Sequence, residues 1–405
     1  MEQLQQETIP IRHLRSDSGK TELFLNCNYT INLSIWLDLF KMACPGPPKK
    51  LQGPLMITSW RATGACNYNC VYCNVDANCE PSPDELDTEW GLRLVDQIAE
   101  FGSQWFGIKG GEPLVRKDLF TLIAHAKDLG LEVNLLTNGY YVDGEILENL
   151  AKYNVYTSIS IDGSEEANDS LRGKGSYKAA LSAIQKLSEK GILNGLSMAI
   201  TNRNLNEADH IVDLAEKYGA RFVWFNHLVP TGRAKHQLDL EPTPEQYDVF
   251  LNHVYYLSKK EYKVQFDFNI HCPHYIRVVR DRDPEGFCEW VNKETHTAKC
   301  IYFLFGGYLS VLENGDVIPC FYSENLKIGN IKENTLQELW DKMQNSDFYQ
   351  RLQNPDNLEG KCGICELRNV CGGCRTRAYA LTGSYFGSDP ACLYQPKGDA
   401  SKKTK

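Results

Sequence analysis

Between about residues 55 and 229, short apolar β-rich runs alternate with longer amphipathic ones, and this rhythm narrows the possible folds more than any other feature of the chain. The runs are MITSWRAT (56–63), WFGIKG (105–110), EVNLLTNG (132–139), YTSISIDG (156–163), LSMAIT (196–201) and RFVWFNHLV (221–229). Parallel strands need crossovers long enough to hold a helix, joined with a right-handed sense. Helical patterns fill the gaps: TEWGLRLVDQIAEF (88–101), DLFTLIAHAKDLG, GEILENLAKYN, SYKAALSAIQKLSEKG and NEADHIVDLAEKYG. Gly102, Gly130, Gly191 and Gly219 stand where helix C-caps belong. A repeat of roughly 25 to 35 residues fits βα units. The fold class expected is α/β, a six-unit open or partial barrel.

After Val229 the rhythm stops. PTGRAKHQLDLEPTPEQ reads as loop, and QYDVFLNHVYYLSKK as a helix preceded by Pro242 and Pro244. Farther on come a hairpin signal, YLSVLENGDVIPC with Asn314-Gly315 at its turn, and one helix, TLQELWDKMQNSDFYQRL. That last third has too few regular elements for its length, which metal stapling explains better than an apolar core. Near the start, YTINLSIWLDLF reads as an amphipathic cap and CPGPPKK as a linker.

Fifteen cysteines are the outlying count in the composition. An odd number, in a chain whose first residues lack the basic start, apolar stretch and cleavage site of a secretory signal, argues for metal ligation rather than a disulfide framework. A cytoplasmic setting is expected. With 52 acidic against 43 basic residues the net charge is −9, which argues against a nucleic-acid groove. No apolar run approaches the roughly 18 residues of a membrane span. Ten cysteines form two groups: Cys66, Cys70 and Cys73, then Cys300, Cys320, Cys362, Cys365, Cys371, Cys374 and Cys392. Cys27, Cys44, Cys79, Cys272 and Cys288 follow no tight pattern, and most read as small buried hydrophobes.

Cys66-x3-Cys70-x2-Cys73 follows the first strand directly, at the rim where parallel α/β folds bind ligands. Three thiolates there can hold three corners of a cubane iron–sulfur cluster and leave one iron open to a chelating small molecule. The alternative is a zinc knuckle closed by Cys79. ACNYNCVYC, followed by KGGEP (109–113) and SIDG (160–163) at successive strand ends, resembles the radical SAM superfamily. The resemblance implies a [4Fe–4S] cluster on Cys66, Cys70 and Cys73 whose open iron binds S-adenosylmethionine. It also implies reductive cleavage of that cofactor to a 5′-deoxyadenosyl radical that abstracts a substrate hydrogen. By the same resemblance Tyr72 would lie near the adenine, and Gly110, Gly111 and Glu112 would contact the methionyl ammonium. Ser160 would meet the ribose and Arg172 the methionyl carboxylate, with Asn138 and the strand MAIT shaping the nucleotide pocket.

The second cysteine group resembles the SPASM extension that follows many radical SAM barrels and holds one or two auxiliary [4Fe–4S] clusters. The family pattern would give Cys362, Cys365, Cys371 and Cys392 to one cluster and Cys300, Cys320 and Cys374 to a second. Two points depart from it. The CGGC pair has two intervening residues where three are commoner, and the second cluster lacks a ligand, which Cys288 or Cys272 would supply unless the site stays open to substrate. Structural zinc on the same residues is the alternative. His271 and His274, in HCPH, read as plain loop residues.

The resemblance divides the chain into an N-terminal extension (1–53), a radical SAM partial barrel (54–285), a SPASM-like, cluster-stapled α+β unit (286–396) and a disordered tail (397–405). It implies an oxidoreductase served by a reductant such as ferredoxin or flavodoxin. Auxiliary clusters point to net oxidation of the substrate, because they give the second electron somewhere to go. LVPTGRAK (228–235) and CGGCRTRAYALTGSYFGSDPAC (371–392) look similar to stretches in enzymes that trim tetrapyrrole side chains, which favours a tetrapyrrole or other small-molecule substrate. Arg233, Arg375 and Arg377 are candidates for meeting substrate carboxylates. The alternatives are a maturase of a ribosomally made peptide, a non-catalytic iron–sulfur electron carrier and a zinc-stapled binding protein. The sequence names no catalytic residue.

Overall fold

A computed structural model describes residues 57–287 and 308–397. The expectations for the N-terminal extension, for Cys27, Cys44, Cys288 and Cys300, and for the tail beyond residue 397 fall outside the described residues.

The expected βα units are present in order: β1 (Ile57–Arg61), α1 (Thr88–Glu100), β2 (Trp105–Lys109), α2 (Leu119–Asp128), β3 (Glu132–Thr137), α3 (Gly144–Lys152) and β4 (Tyr156–Ser160). They continue through α4 (Glu165–Arg172), α5 (Ser176–Glu189), β5 (Leu193–Ile200), α6 (Ala208–Tyr218) and β6 (Phe222–His227). Adjacent strands pair in parallel throughout. The four capping glycines all sit at positive φ. The short helix α4 has no counterpart in the sequence reading, since EEANDSLR is polar on all but one narrow stripe.

The sheet is larger than six strands. After α7 (Pro244–Leu257), whose start is fixed by a capping box between Thr243 and Gln246, a seventh parallel strand β7 (Asp267–His271) pairs with β6. Helix α8 (Tyr275–Arg282) follows. At the opposite edge the hairpin forms as expected from β8 (Tyr308–Val311) and β9 (Asp316–Ile318), with Gly315 at φ 93° in its turn. It does not stand apart from the barrel, because β8 lies parallel to β1 and β10 (Gly329–Asn330) pairs with β9. The result is one ten-stranded sheet in the order β10-β9-β8-β1-β2-β3-β4-β5-β6-β7.

The single helix expected from TLQELWDKMQNSDFYQRL is two: α9 (Leu336–Gln344) and α10 (Asp347–Gln353). Ser346 accepts a hydrogen bond from the backbone N–H of Tyr349, starting a new helix where an old one could have continued. Two further helices, α11 (Gly360–Gly363) and α12 (Arg375–Thr382), complete the C-terminal part.

Strand alternation separates two environments. Phe106, Val133, Leu196, Met198, Val223 and Phe225 are buried against the helices. Their neighbours Trp105, Gly107, Lys109, Asn134, Leu136, Ser197, Trp224 and Asn226 turn to the concave side and line a cavity.

Candidate active site

The loop after β1 is held at both ends. An isolated bridge joins Ala65 to Asn78, and the Cys66 N–H donates to the Asn78 carbonyl (2.6 Å). Arg233 braces the middle, donating from Nη1 to the Cys70 carbonyl (2.8 Å) and from its backbone N–H to the Cys73 carbonyl (2.8 Å), with Asp76 beside Nε. Sequence reasoning set Arg233 toward substrate; its donors are spent on the cysteine loop instead. Cys79, the fourth ligand of the zinc alternative, is exposed.

Cys66, Cys70 and Cys73 are all half-buried free thiols. Burial pushes the Cys66 thiol up to about 12, the Tyr68 N–H pulls it back, and Glu112, Cys70 and Cys73 push it further. Burial raises Cys70 as well, Arg172 opposing and Asp162 and Cys73 reinforcing. Three thiols this close resist ionising together unless a metal supplies positive charge. Beside them Asn67 Nδ2 and Tyr68 OH are buried without a hydrogen-bond partner. Thiols that share one charge environment, next to orphaned polar groups, fit a cluster that carries a further polar ligand.

The GGEP turn is packed against that loop. The Gly111 N–H donates to the Thr63 carbonyl (2.8 Å) and the Glu112 N–H to the Ala65 carbonyl (2.7 Å). A Cβ on Gly111 would lie 2.1 Å from the Ala65 oxygen, and one on Gly110 2.6 Å from that of Thr63. Both positions therefore need glycine for close backbone approach. Glu112 is fully buried and accepts from the Asn138 N–H (2.8 Å), the Thr137 hydroxyl (2.7 Å) and the Leu114 N–H (3.1 Å). Burial still raises its carboxyl to about 7. Asn138 also reaches Asn67 Oδ1 (2.7 Å) and lies 4.0 Å from the Cys66 sulfur.

Asp162, wholly buried past the end of β4, ties three elements together. It receives Arg172 Nε (2.7 Å) and Nη2 (3.1 Å), the Tyr72 hydroxyl and the Ala199 N–H (2.9 Å). Arg172 also lies over the Tyr72 ring at 5.6 Å. Tyr72 and Arg172 both line the cavity, while Ser160 does not; β4 contributes Tyr156 and Ser158 there.

The cavity encloses about 500 Å³ along the concave face. Trp105, Tyr156, Trp224, Tyr308, Phe321 and Tyr322 supply flat apolar walls. Tyr72, Asn74 and Val75 of the cysteine loop form one rim, and Phe321 and Tyr322, directly after Cys320, form another. His227 and His271 line it too, and burial keeps both below the usual histidine range, His271 at about 4. His271 was read from the sequence as plain loop; β7, absent from the sequence reading, carries it to the wall.

The described C-terminal cysteines lie in two places. Cys362, Cys365, Cys371 and Cys392 line one small pocket; burial raises the Cys365 and Cys371 thiols, and the neighbouring Cys362 and Cys392 sulfurs push both further. Cys320 and Cys374 are buried elsewhere: Cys320 accepts from the Thr376 hydroxyl (3.8 Å), Cys374 caps α12 through the Arg377 N–H (3.4 Å), and both act on Tyr322. Cys272 is buried in the apolar core.

Arg375 and Arg377 are fully buried and do not line the cavity. Arg375 donates to the carbonyls of Tyr385 (3.0 Å) and Gly387 (2.7 Å) and to the Cys362 sulfur (3.5 Å). Arg377 pairs with Asp389 through Nε (2.8 Å) and Nη2 (3.0 Å), and His274 Nε2 lies 3.0 Å from the same carboxylate. Asp389 also receives the Cys374 N–H (2.7 Å). His274 is thus a buried partner between the two thiol sites, where sequence reasoning saw a loop residue.

The model of the radical SAM superfamily matches residues 60–215, and that of the SPASM iron–sulfur cluster-binding domain matches residues 300–374. The AdoMet-dependent heme synthase of Methanosarcina barkeri (strain Fusaro / DSM 804) is 35% identical over 348 residues, covering 84% of this chain and 97% of that protein. Mycofactocin maturase MftC of Mycolicibacterium smegmatis is 28% identical over 379 residues, covering 88% and 90%. Among solved structures, Streptococcus suis SuiB bound to S-adenosylmethionine has the same fold, with a TM-score of 0.65 at 16% identity, covering 90% of this chain and 88% of that one.

Proposed function

Because the chain belongs to the radical SAM superfamily and carries a SPASM region, we propose that it is the enzyme that oxidises a carboxylate-bearing side chain of a tetrapyrrole. A [4Fe–4S] cluster and S-adenosylmethionine are its cofactors, and the C-terminal region holds further iron–sulfur. Enzymatic relatives set aside the electron-carrier and zinc-stapled alternatives.

The observation that carries the substrate reading is the cavity: about 500 Å³, broad, walled by aromatic rings, and bounded on one rim by the thiol loop. A flat macrocycle buries its faces against such walls. The heme synthase relative agrees with this, sharing more identity than the peptide maturase over a similar share of the chain.

When bound at Cys66, Cys70 and Cys73, the cluster and S-adenosylmethionine supply the 5′-deoxyadenosyl radical that takes a hydrogen atom from substrate. The protein's own part is positional. Gly110 and Gly111 bring the end of β2 against the cysteine loop, and Glu112 presents a carboxylate beside it. Asp162 fixes Arg172 and Tyr72 at the cavity rim, and the apolar walls exclude water from the reacting carbon.

The test is anaerobic incubation of the reconstituted enzyme with dithionite, S-adenosylmethionine and an iron porphyrin bearing propionate side chains. Porphyrin-stimulated 5′-deoxyadenosine together with a loss of mass from the porphyrin is expected. Stimulation by a short ribosomal peptide with none by the porphyrin would move the assignment to the maturases.

A further inference from the structure

Three long basic side chains line the cavity: Arg61, Lys109 and Arg172. Arg61 is neutralised by Glu313 and Glu324, and Arg172 by Asp162. Among the described residues no carboxylate pairs with Lys109. Its ammonium donates to the Tyr308 hydroxyl (2.8 Å) and stands 3.6 Å over the centre of the Phe321 ring. An ammonium has three donors, and burial without a counter-ion is costly. Burial indeed lowers this amine toward neutrality, to about 7.

Position adds to charge. Lys109 ends β2, in register with Arg61 and one residue before Gly110. It is therefore next to the GGEP turn on one side. On the other it rests on Phe321, the residue after Cys320. A group held by Lys109 lies between the two rims of the cavity.

We propose that Lys109 is the anchor for a substrate carboxylate, setting the carbon beside that carboxylate between the cysteine-loop rim and the Phe321 rim. The anion completes the hydrogen bonding of the ammonium and removes the cost of its burial, so acid is preferred over a neutral isostere. Tyr308 and Phe321 orient the ammonium and are positioning residues. The inference rests on the tetrapyrrole reading above and names what that substrate is held by.

The experiment is anaerobic calorimetric titration of the cluster-loaded enzyme, in the presence of S-adenosylmethionine, with iron coproporphyrin and with its tetra-amide. The acid is expected to bind roughly ten- to a hundredfold tighter than the amide. Lys109→Met should abolish that preference, and Lys109→Arg should keep most of it. Iron content and thermal midpoint establish that each variant is loaded and folded; Lys109→Gln, which keeps a hydrogen bond to Tyr308, carries the test if Met does not fold. A preference that survives in the neutral variants overturns the inference. Equal binding of acid and amide to the wild type overturns it too, while leaving the tetrapyrrole reading in place. Binding of neither overturns the tetrapyrrole reading itself, and the inference with it.

Discussion

Arg172 grips Asp162 with two hydrogen bonds, at 2.7 and 3.1 Å, from the end of the helix that follows the four-residue turn holding Asp162. The same carboxylate takes the hydroxyl of Tyr72, so the cysteine loop and the fourth βα unit are fastened at one buried anion. Asp162→Asn leaves the Arg172 charge uncompensated in the interior. The expected loss is about 3 kcal/mol of stability or more, read by urea unfolding of the loaded enzyme, along with weaker S-adenosylmethionine binding. Full stability in this variant would mean the pair is not what joins the two segments.

The two thiol groups have separable effects. Serine at Cys66, Cys70 or Cys73 should abolish 5′-deoxyadenosine formation, because these thiols share the site beside GGEP. Serine at Cys365 or Cys392, which share the other pocket, should leave uncoupled cofactor cleavage while substrate turnover is lost. Chromatography of 5′-deoxyadenosine against iron content checks both, and cleavage retained in the first set contradicts the ligand assignment.

Gly111→Ala is a steric test. The added carbon would sit 2.1 Å from the Ala65 carbonyl oxygen, a backbone atom that cannot swing away. The end of β2 and the cysteine loop must separate, so S-adenosylmethionine affinity should fall about tenfold or more and stability by about 1 to 3 kcal/mol. Equilibrium binding and thermal unfolding measure the two.

Glu112 gives the unloaded protein a pH dependence. Burial raises its carboxyl to about 7 against the hydrogen bonds from Asn138, Thr137 and Leu114. A folded-state pKa above the unfolded value means that the folded chain holds the proton more tightly. The stabilisation is present below the ordinary carboxyl range and is lost as pH rises through about 7. The thermal midpoint of wild type minus that of Glu112→Gln should therefore fall as pH rises from about 5 to about 8. A flat difference would show that the carboxyl stays ionised throughout.

Much of the centre was legible in the sequence because its cues are local. Cysteine spacing, the GGEP glycines and the period-two strands each depend on residues close in the chain, and all fell where expected. Arg233, Arg375 and Arg377 were misplaced for the opposite reason. A buried arginine is recognised by its partners, and none of theirs follows a local repeat: the carbonyl of Cys70 is 163 residues from Arg233, and Arg377 meets Asp389 across an irregular loop 12 residues on. His271 and His274 failed alike, since one reaches the cavity on an unforeseen strand and the other meets Asp389, 115 residues away.

The sequence by itself determined the βα order and the grouping of the cysteines along the chain, because propensity, capping and short-range spacing act within a few residues. Only the tertiary structure decided that β8 joins the sheet beside β1, and with it that Tyr308 and Phe321 stand at Lys109. Strand order across a sheet is set by burial of whole faces, and no local pattern encodes which edge a distant hairpin will cover.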